Sequence, residues 1–178
     1  MAQHKIIFTG PVGAGKSTAI QSISDVPVMK TDASAKEIAK DKGASTTVAM
    51  DYGIIVLDNG ERIHLYGTPG EERFNFMWDI LLTGGMGLIL LINNSSVDPM
   101  KDMRFFLKAF EKFIGKTAIA IGVTQMDKKN KPTISDYHAQ FASTNMNPPI
   151  FEIDARVKSD VSLLVQALLY SLDSGIEK

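Results

Sequence analysis

The stretch Gly10-Pro11-Val12-Gly13-Ala14-Gly15-Lys16-Ser17 fits the spacing G-x-x-x-x-G-K-[ST] in full. It joins an apolar run, Ile6-Ile7-Phe8, which reads as a strand, to Ser17-Thr18-Ala19-Ile20-Gln21, which reads as a helix. Glycines at 10, 13 and 15 let the backbone curl without Cβ clashes, so that successive N–H groups point inward and the helix N-terminus adds its positive partial charge. That cradle suits phosphate. Val12, Gly13, Ala14, Gly15 and Thr18 line it beside Gly10, Lys16 can reach the β- and γ-phosphates of a nucleotide, and the Ser17 hydroxyl can ligate Mg²⁺. The loop alone leaves kinase, ATPase and GTPase chemistry open.

The rest of the composition narrows the class. A chain of 178 residues with 44% apolar and 22% charged side chains is expected to form one soluble domain, 1–178, with a real core. It contains no cysteine, which excludes disulfides and thiolate zinc sites and agrees with a cytoplasmic setting. His4, His64 and His138 are isolated and suggest no metal cluster. The first strand begins almost at Met1, so no signal peptide is expected, and the longest apolar run, near Met86 to Ile92, is too short to span a bilayer. Net charge of −1 gives no general attraction to nucleic acid, and Lys128-Lys129-Asn130-Lys131 reads as a solvated loop. There is no C-terminal prenylation cysteine and no glycine at position 2, so no direct membrane anchor is expected.

Strand-like and helix-like segments alternate. The polar stretch from about Val26 to Ser45 reads as a mobile loop with at most a short helix. Val48 to Leu57 and Arg62 to Tyr66 read as antiparallel strands joined by Asp58-Asn59-Gly60, whose Asn-Gly pair favours a tight hairpin. Leu88–Ile92 and Ala118–Val123 are β-branched, apolar runs suited to strands covered on both faces, and Ile150–Ile153 makes a sixth strand. Asp98 can cap a helix that has Pro99 in its first turn and Met103, Phe106, Phe110 and Phe113 on one face. Thr133 to Asp136 resembles a capping box, and Val161, Leu164, Val165, Leu168 and Leu172 form the apolar stripe of a last helix. The expected fold is an α/β phosphate-loop NTPase three-layer sandwich: a mostly parallel six-stranded sheet with one antiparallel edge strand, binding ligands at the carboxyl ends of its strands.

In order and spacing, four further stretches resemble the small Ras-like GTPases. Thr46-Thr47-Val48-Ala49-Met50-Asp51-Tyr52 is similar to the first switch, whose threonine closes over Mg²⁺ and the γ-phosphate. Register assigns that role to Thr47, with Thr46 as the alternative. Gly67-Thr68-Pro69-Gly70-Glu71-Glu72-Arg73-Phe74 is similar to the second switch, a D-x-x-G-Q pattern. Thr124-Gln125-Met126-Asp127 lies where the base-reading N/T-K-x-D motif belongs, and Asp154-Ala155-Arg156 where S-A-K belongs. The chain resembles the bacterial Ras-like GTPases, both those of the gliding-motility (MglA) type and those encoded with sensor kinase and Roadblock-domain proteins in actinobacterial operons; the phrases Thr47 to Gly53 and Tyr66 to Phe74, followed by Phe76-Met77-Trp78, particularly resemble that second group.

The resemblance implies GTP/GDP and Mg²⁺ as ligands, slow GTP hydrolysis, and a Roadblock (MglB-like) regulator or another effector at the switches. Asp127 would accept from guanine N1–H and its amine, the Ala155 N–H would meet O6, and the Arg156 stem would pack near the base. Thr124 and Gln125 flank that site, with Gln125 standing in for the usual lysine. Gly70 would bond the γ-phosphate through its N–H. Glu71 stands where the water-positioning glutamine belongs, and Gly67 where a magnesium-holding aspartate belongs. With Gly67 offering no side chain, magnesium would rest on Ser17, Thr47, the phosphates and water. Asp58 is too far out on its turn to substitute, and nothing in the sequence turns Asp51 inward. These departures keep a non-hydrolysing scaffold open as a rival; a small phosphate-loop kinase is a further one. In the second switch, Phe74, Met77, Trp78 and Leu81 share an inward side, leaving Phe76 and Ile80 for partners, while Arg73 suits a structural ion pair better than catalysis.

Overall fold

The computed structural model describes residues 4–34, 47–70 and 75–173. Strand β1 (His4–Thr9) lies at the centre of the sheet, between β4 (Arg62–Gly67) and β5 (Gly87–Asn93), parallel to both. Beyond β5 follow β6 (Ile119–Thr124) and β7 (Ile150–Glu152), also parallel. Beyond β4 come β3 (Thr47–Val56), antiparallel to it, and β2 (Met29–Ser34), antiparallel to β3.

All six expected strands form, and β3 runs against its neighbours as the hairpin signal requires. Leu57 N–H bonds the Glu61 carbonyl at 2.8 Å and Gly60, at φ 83°, closes the turn onto the Leu57 carbonyl. Among the described residues the sheet nevertheless has seven strands, because part of the stretch expected as a loop pairs along β3 and takes the edge from it. Met29–Ser34 carries no alternating pattern of its own. The free N–H and C=O groups along β3 recruit it, an effect of pairing rather than of side-chain preference. The remainder of that stretch, 35–46, lies outside the described residues.

Two cores sandwich the sheet. On β5 the side chains alternate: Ile89 and Leu91 face one core with helices α1 (Lys16–Ile23) and α6 (Lys158–Asp173), while Leu88, Leu90 and Ile92 face the other. That second core takes Trp78 from α2 (Asn75–Leu82), Met103 and Phe106 from α3 (Pro99–Ala109), and Tyr137 from α5 (Ile134–Ala139). A short helix, α4 (Glu111–Ile114), follows α3. Within α6, Val161, Leu164, Val165 and Leu168 are buried as the stripe requires. Within α2, Met77, Trp78 and Leu81 are buried while Phe76 and Ile80 are exposed; Phe74 lies outside the described residues. Among the described residues, no helix is long and apolar enough to cross a membrane.

The caps form as the sequence reads. Thr133 and Asp136 make a reciprocal capping box, and the Asp98 carboxylate accepts the Lys101 N–H at 3.0 Å. Asp98→Ala is expected to cost about 1 kcal/mol and lower the melting temperature by about 2–4 °C, as thermal unfolding followed by circular dichroism would register.

Candidate nucleotide-binding site

The loop between β1 and α1 has the curl that its glycines allow. Gly10 sits at φ 144°, and a Cβ there would lie 2.1 Å from the Leu91 carbonyl oxygen in β5. Gly13 and Gly15 also have positive φ, 81° and 99°. Gly15 is the N-cap of α1, and no side chain caps that end. The first-turn N–H groups therefore stay available to an anion, with the helix dipole behind them.

Lys16 folds back over this loop: its ammonium donates to the Gly10 and Pro11 carbonyls at 2.6 and 2.8 Å. Burial draws its pKa down to about 8, against the upward pull of the nearby Asp51 carboxylate. Since the folded-state value lies below the ordinary 10.5, the charged lysine opposes folding in full below about pH 8, and that opposition fades as pH rises toward 10.5. A bound phosphate favours the ammonium form. Nucleotide binding is thus expected to take up about half a proton at pH 8 and to weaken above it. Calorimetry in buffers of different ionisation enthalpy checks this; identical heats in all buffers would contradict it.

Around the Lys16 end lies a small cleft of about 300 Å³ that includes Val12, Ser17, Asp51, Thr68 and Gly70. Its walls are tied together. Thr68 N–H bonds the Phe8 carbonyl at 2.9 Å, its hydroxyl donates to Thr9 Oγ1 at 2.8 Å, and the buried Trp78 indole N–H holds the Pro69 carbonyl at 3.0 Å. Gly70 lies against the loop so closely that a Cβ there would stand 2.7 Å from both Lys16 Nζ and Val12 N. Asp51 corrects the sequence reading: it does point inward, is buried, and accepts the Ser17 hydroxyl. The reason is register, since Asp51 stands opposite Gly67 in the β3–β4 ladder and no side chain there excludes it.

Thr47 lies farther out. It pairs with Ser34 at the start of β3, about 13 Å along an extended strand from Asp51. Thr46, Glu71 and Arg73 lie outside the described residues. Asp58 is exposed on its hairpin turn, as expected.

A larger cleft of about 990 Å³ shares Gly13, Gly15 and Thr18 with the first and opens at the ends of β6 and β7. Ala14, Thr124, Gln125, Asp127, Ala155 and Arg156 also line it, so the structure brings the expected base-reading residues to one place. Thr124 is buried, and its hydroxyl lies within bonding distance of the Ala14 and Ile92 carbonyls, at 3.0 and 3.3 Å. The Asp127 carboxylate is exposed on the cleft wall. The Ala155 N–H donates to no other group among the described residues.

Sequence reasoning missed Asn93, Ser95 and Asp160 and gave no role to Asp154 within its motif. Asn93, at the carboxyl end of β5, places its amide 3.4 Å from the Gly13 carbonyl and accepts both the N–H and the hydroxyl of Ser95. The Ser95 hydroxyl oxygen also lies 3.1 Å from Gln125 Oε1, an alternative acceptor for its one proton, and Gln125 has a positive φ of 56°. Asp154 grips the Arg156 guanidinium at 2.9 and 2.7 Å, bonds that hold the Asp154 carboxyl down to about 2. Asp160 accepts the Asp154 N–H. Asn93 carried a usable signal, a polar side chain at a strand's carboxyl end; Ser95 and Asp154 are ordinary loop residues in sequence, and Asp160 is an acidic residue in the first turn of α6.

A phosphate cradle, a lysine folded over it and a second cleft beyond the next strands define a phosphate-loop nucleotide-binding domain. The Ras family matches residues 5–173. The chain belongs to that family. It is similar to an uncharacterised protein of Methanocaldococcus jannaschii, 28% identical over 65% of this chain and 71% of the relative. It is also similar to a GTP-binding nuclear protein of Encephalitozoon cuniculi, at 24% identity over 90% and 72%. The Ras-related protein Rab-1C of Dictyostelium discoideum is 24% identical over 98% of this chain and 81% of its own length.

Proposed function

We propose that this chain is a GTP- and GDP-binding regulatory switch, one G domain that hydrolyses GTP slowly and acts through protein partners. The observation that carries this reading is the pair of joined clefts, with Asp127 in one and Lys16, Ser17 and Gly70 in the other. Guanine offers two N–H donors to the Asp127 carboxylate, whereas adenine offers none at that edge and leaves the charge unpaired. The Ala155 N–H serves guanine O6, and the phosphates take the loop N–H groups and Lys16.

The oxygen-lined phosphate cleft suits Mg²⁺, which takes hard oxygen donors and retains waters; Ser17 would hold it, joined by Thr47 once the first switch closes. When bound, magnesium neutralises charge developing on the β- and γ-phosphates. Thr47 can close only if the Ser34–Thr47 end of the β2–β3 ladder opens. Gly70 must draw back from Lys16 and Val12 to admit a γ-phosphate, and its N–H then bonds that phosphate. With Glu71 in place of glutamine, water is poorly positioned and intrinsic hydrolysis is slow. A Roadblock-type, MglB-like protein is the regulator proposed, on the resemblance of the switch phrases to the GTPases encoded with Roadblock-domain proteins, and the cytoplasm is the proposed location.

Trp78 reports the switch directly, being the single tryptophan of the chain and bonded to Pro69 beside Gly70. Exchanging GDP for a non-hydrolysable GTP analogue should shift its emission, and single-turnover hydrolysis should accelerate with a Roadblock-domain partner. Identical emission in both states, with no stimulated phosphate release, would support the static scaffold instead.

A further inference from the structure

Gly67 ends β4 where a carboxylate is expected, yet the space beside it is filled by one. Residues directly opposite in an antiparallel ladder project from the same face of the sheet, and Asp51 is directly opposite Gly67. A Cβ placed on Gly67 would lie 3.1 Å from Ile20 Cδ1, 3.4 Å from Asp51 Cβ and 3.5 Å from Asp51 Oδ2. The Asp51 side chain therefore lies in contact with the position that a side chain at 67 would take, on the same face of the sheet. It is 9% exposed in the phosphate cleft.

Its partner there is informative. Lys16 spends its ammonium on the Gly10 and Pro11 carbonyls, and the group that meets the Asp51 carboxylate is the Ser17 hydroxyl. By donating its proton to Asp51, Ser17 turns its oxygen lone pairs away from the carboxylate, free for a cation. A hydroxyl oxygen so oriented and a carboxylate side by side are the donors that magnesium takes from a protein. A carboxylate retained only to balance Lys16 charge needs neither the Ser17 contact nor the place opposite Gly67.

We propose that Asp51 supplies the carboxylate that holds magnesium at the bound nucleotide, moved across one rung of the ladder from the position that Gly67 leaves empty. This rests on the guanine-nucleotide reading above. The metal-holding carboxylate then lies on β3, the strand that also begins with Thr47, and not on the strand that leads into the second switch.

The test is the release rate of fluorescently labelled GDP, compared in excess Mg²⁺ and in excess chelator. For the natural chain the chelator should speed release about tenfold or more; for Asp51→Asn that ratio should fall toward one, as loss of a metal-supporting group costs roughly 10–100-fold in affinity. The double variant Asp51→Ala/Gly67→Asp should recover most of the ratio, since an aspartate at 67 returns a carboxylate to the same space. A wild-type ratio in Asp51→Asn, or no recovery in a folded double variant, overturns the proposal. Should the variants not fold, Mn²⁺ bound with GDP to the natural chain must broaden the Asp51 side-chain carboxyl carbon resonance, and an unbroadened signal overturns it equally. Failure of the natural chain to bind GDP at all would instead remove the underlying nucleotide reading.

Discussion

Replacing Gly10 by alanine is expected to destabilise the fold more than any other single methyl group added to the nucleotide loop. The new Cβ would stand 2.1 Å from the Leu91 carbonyl oxygen, and φ is 144°, a conformation that alanine rarely adopts. Leu91 is fully buried in β5, and that strand is paired on both edges, to β1 and to β6. The obstacle is therefore backbone that cannot swing aside like a side chain. Relief requires parting β1 from β5 or re-aiming the loop. A loss of about 3 kcal/mol or more follows, a large share of the roughly 5–15 kcal/mol that holds such a domain together, and the melting temperature should drop by about 10 °C. Gly13→Ala is the control, because a Cβ there meets nothing within 4 Å and only its φ of 81° is unfavourable. It should cost about 1 kcal/mol. Equal melting temperatures for the two variants would show that Gly10 is not pressed against β5 as described.

Asp127→Ala is expected to have the larger effect on ligand choice. Guanine would lose an anionic acceptor for two donors, each such bond being worth about 1.5–3 kcal/mol, so affinity for GDP should fall by about 10²–10⁴-fold. Binding of ADP, which gains nothing from that carboxylate, should scarcely change. The fold should be indifferent, because Asp127 is exposed on the cleft wall. Competition titration with both nucleotides, beside a thermal melt, separates the outcomes. Unchanged GDP affinity in a folded variant would sink the assignment of Asp127 to the base.

How much of this was legible before the structure depends on what kind of information each feature carries. The phosphate loop, the hairpin at Asn59-Gly60, the caps at Asp98 and Thr133 and the apolar stripe of α6 are local, and sequence states them outright. Strand β2 is not local. Met29–Ser34 is a strand because β3 offers it an open edge, and its own residues do not say so. Asp51 is a sharper case. Read along the chain, it is a polar residue in a strand; only the register that sets it against Gly67 shows why it turns inward. Asn93 and Ser95, which link the Gly13 carbonyl to Gln125, likewise depend on where β5 ends relative to β1 and β6. Of the expected site, Val12 to Thr18, Gly70, Thr124, Gln125, Asp127, Ala155 and Arg156 line a pair of clefts that share Gly13, Gly15 and Thr18, while Gly10 sits behind them against β5. Thr47 pairs with Ser34 at the outer end of the β2–β3 ladder.

These clefts are expected to bind a guanine nucleotide in preference to an adenine one. Titrating the nucleotide-free chain with labelled GDP and labelled ADP, in magnesium and at one pH, tests it directly. GDP should bind at least about 100-fold more tightly, the discrimination that an anionic acceptor left unpaired by adenine imposes. Equal affinities would show that Asp127 does not read the base.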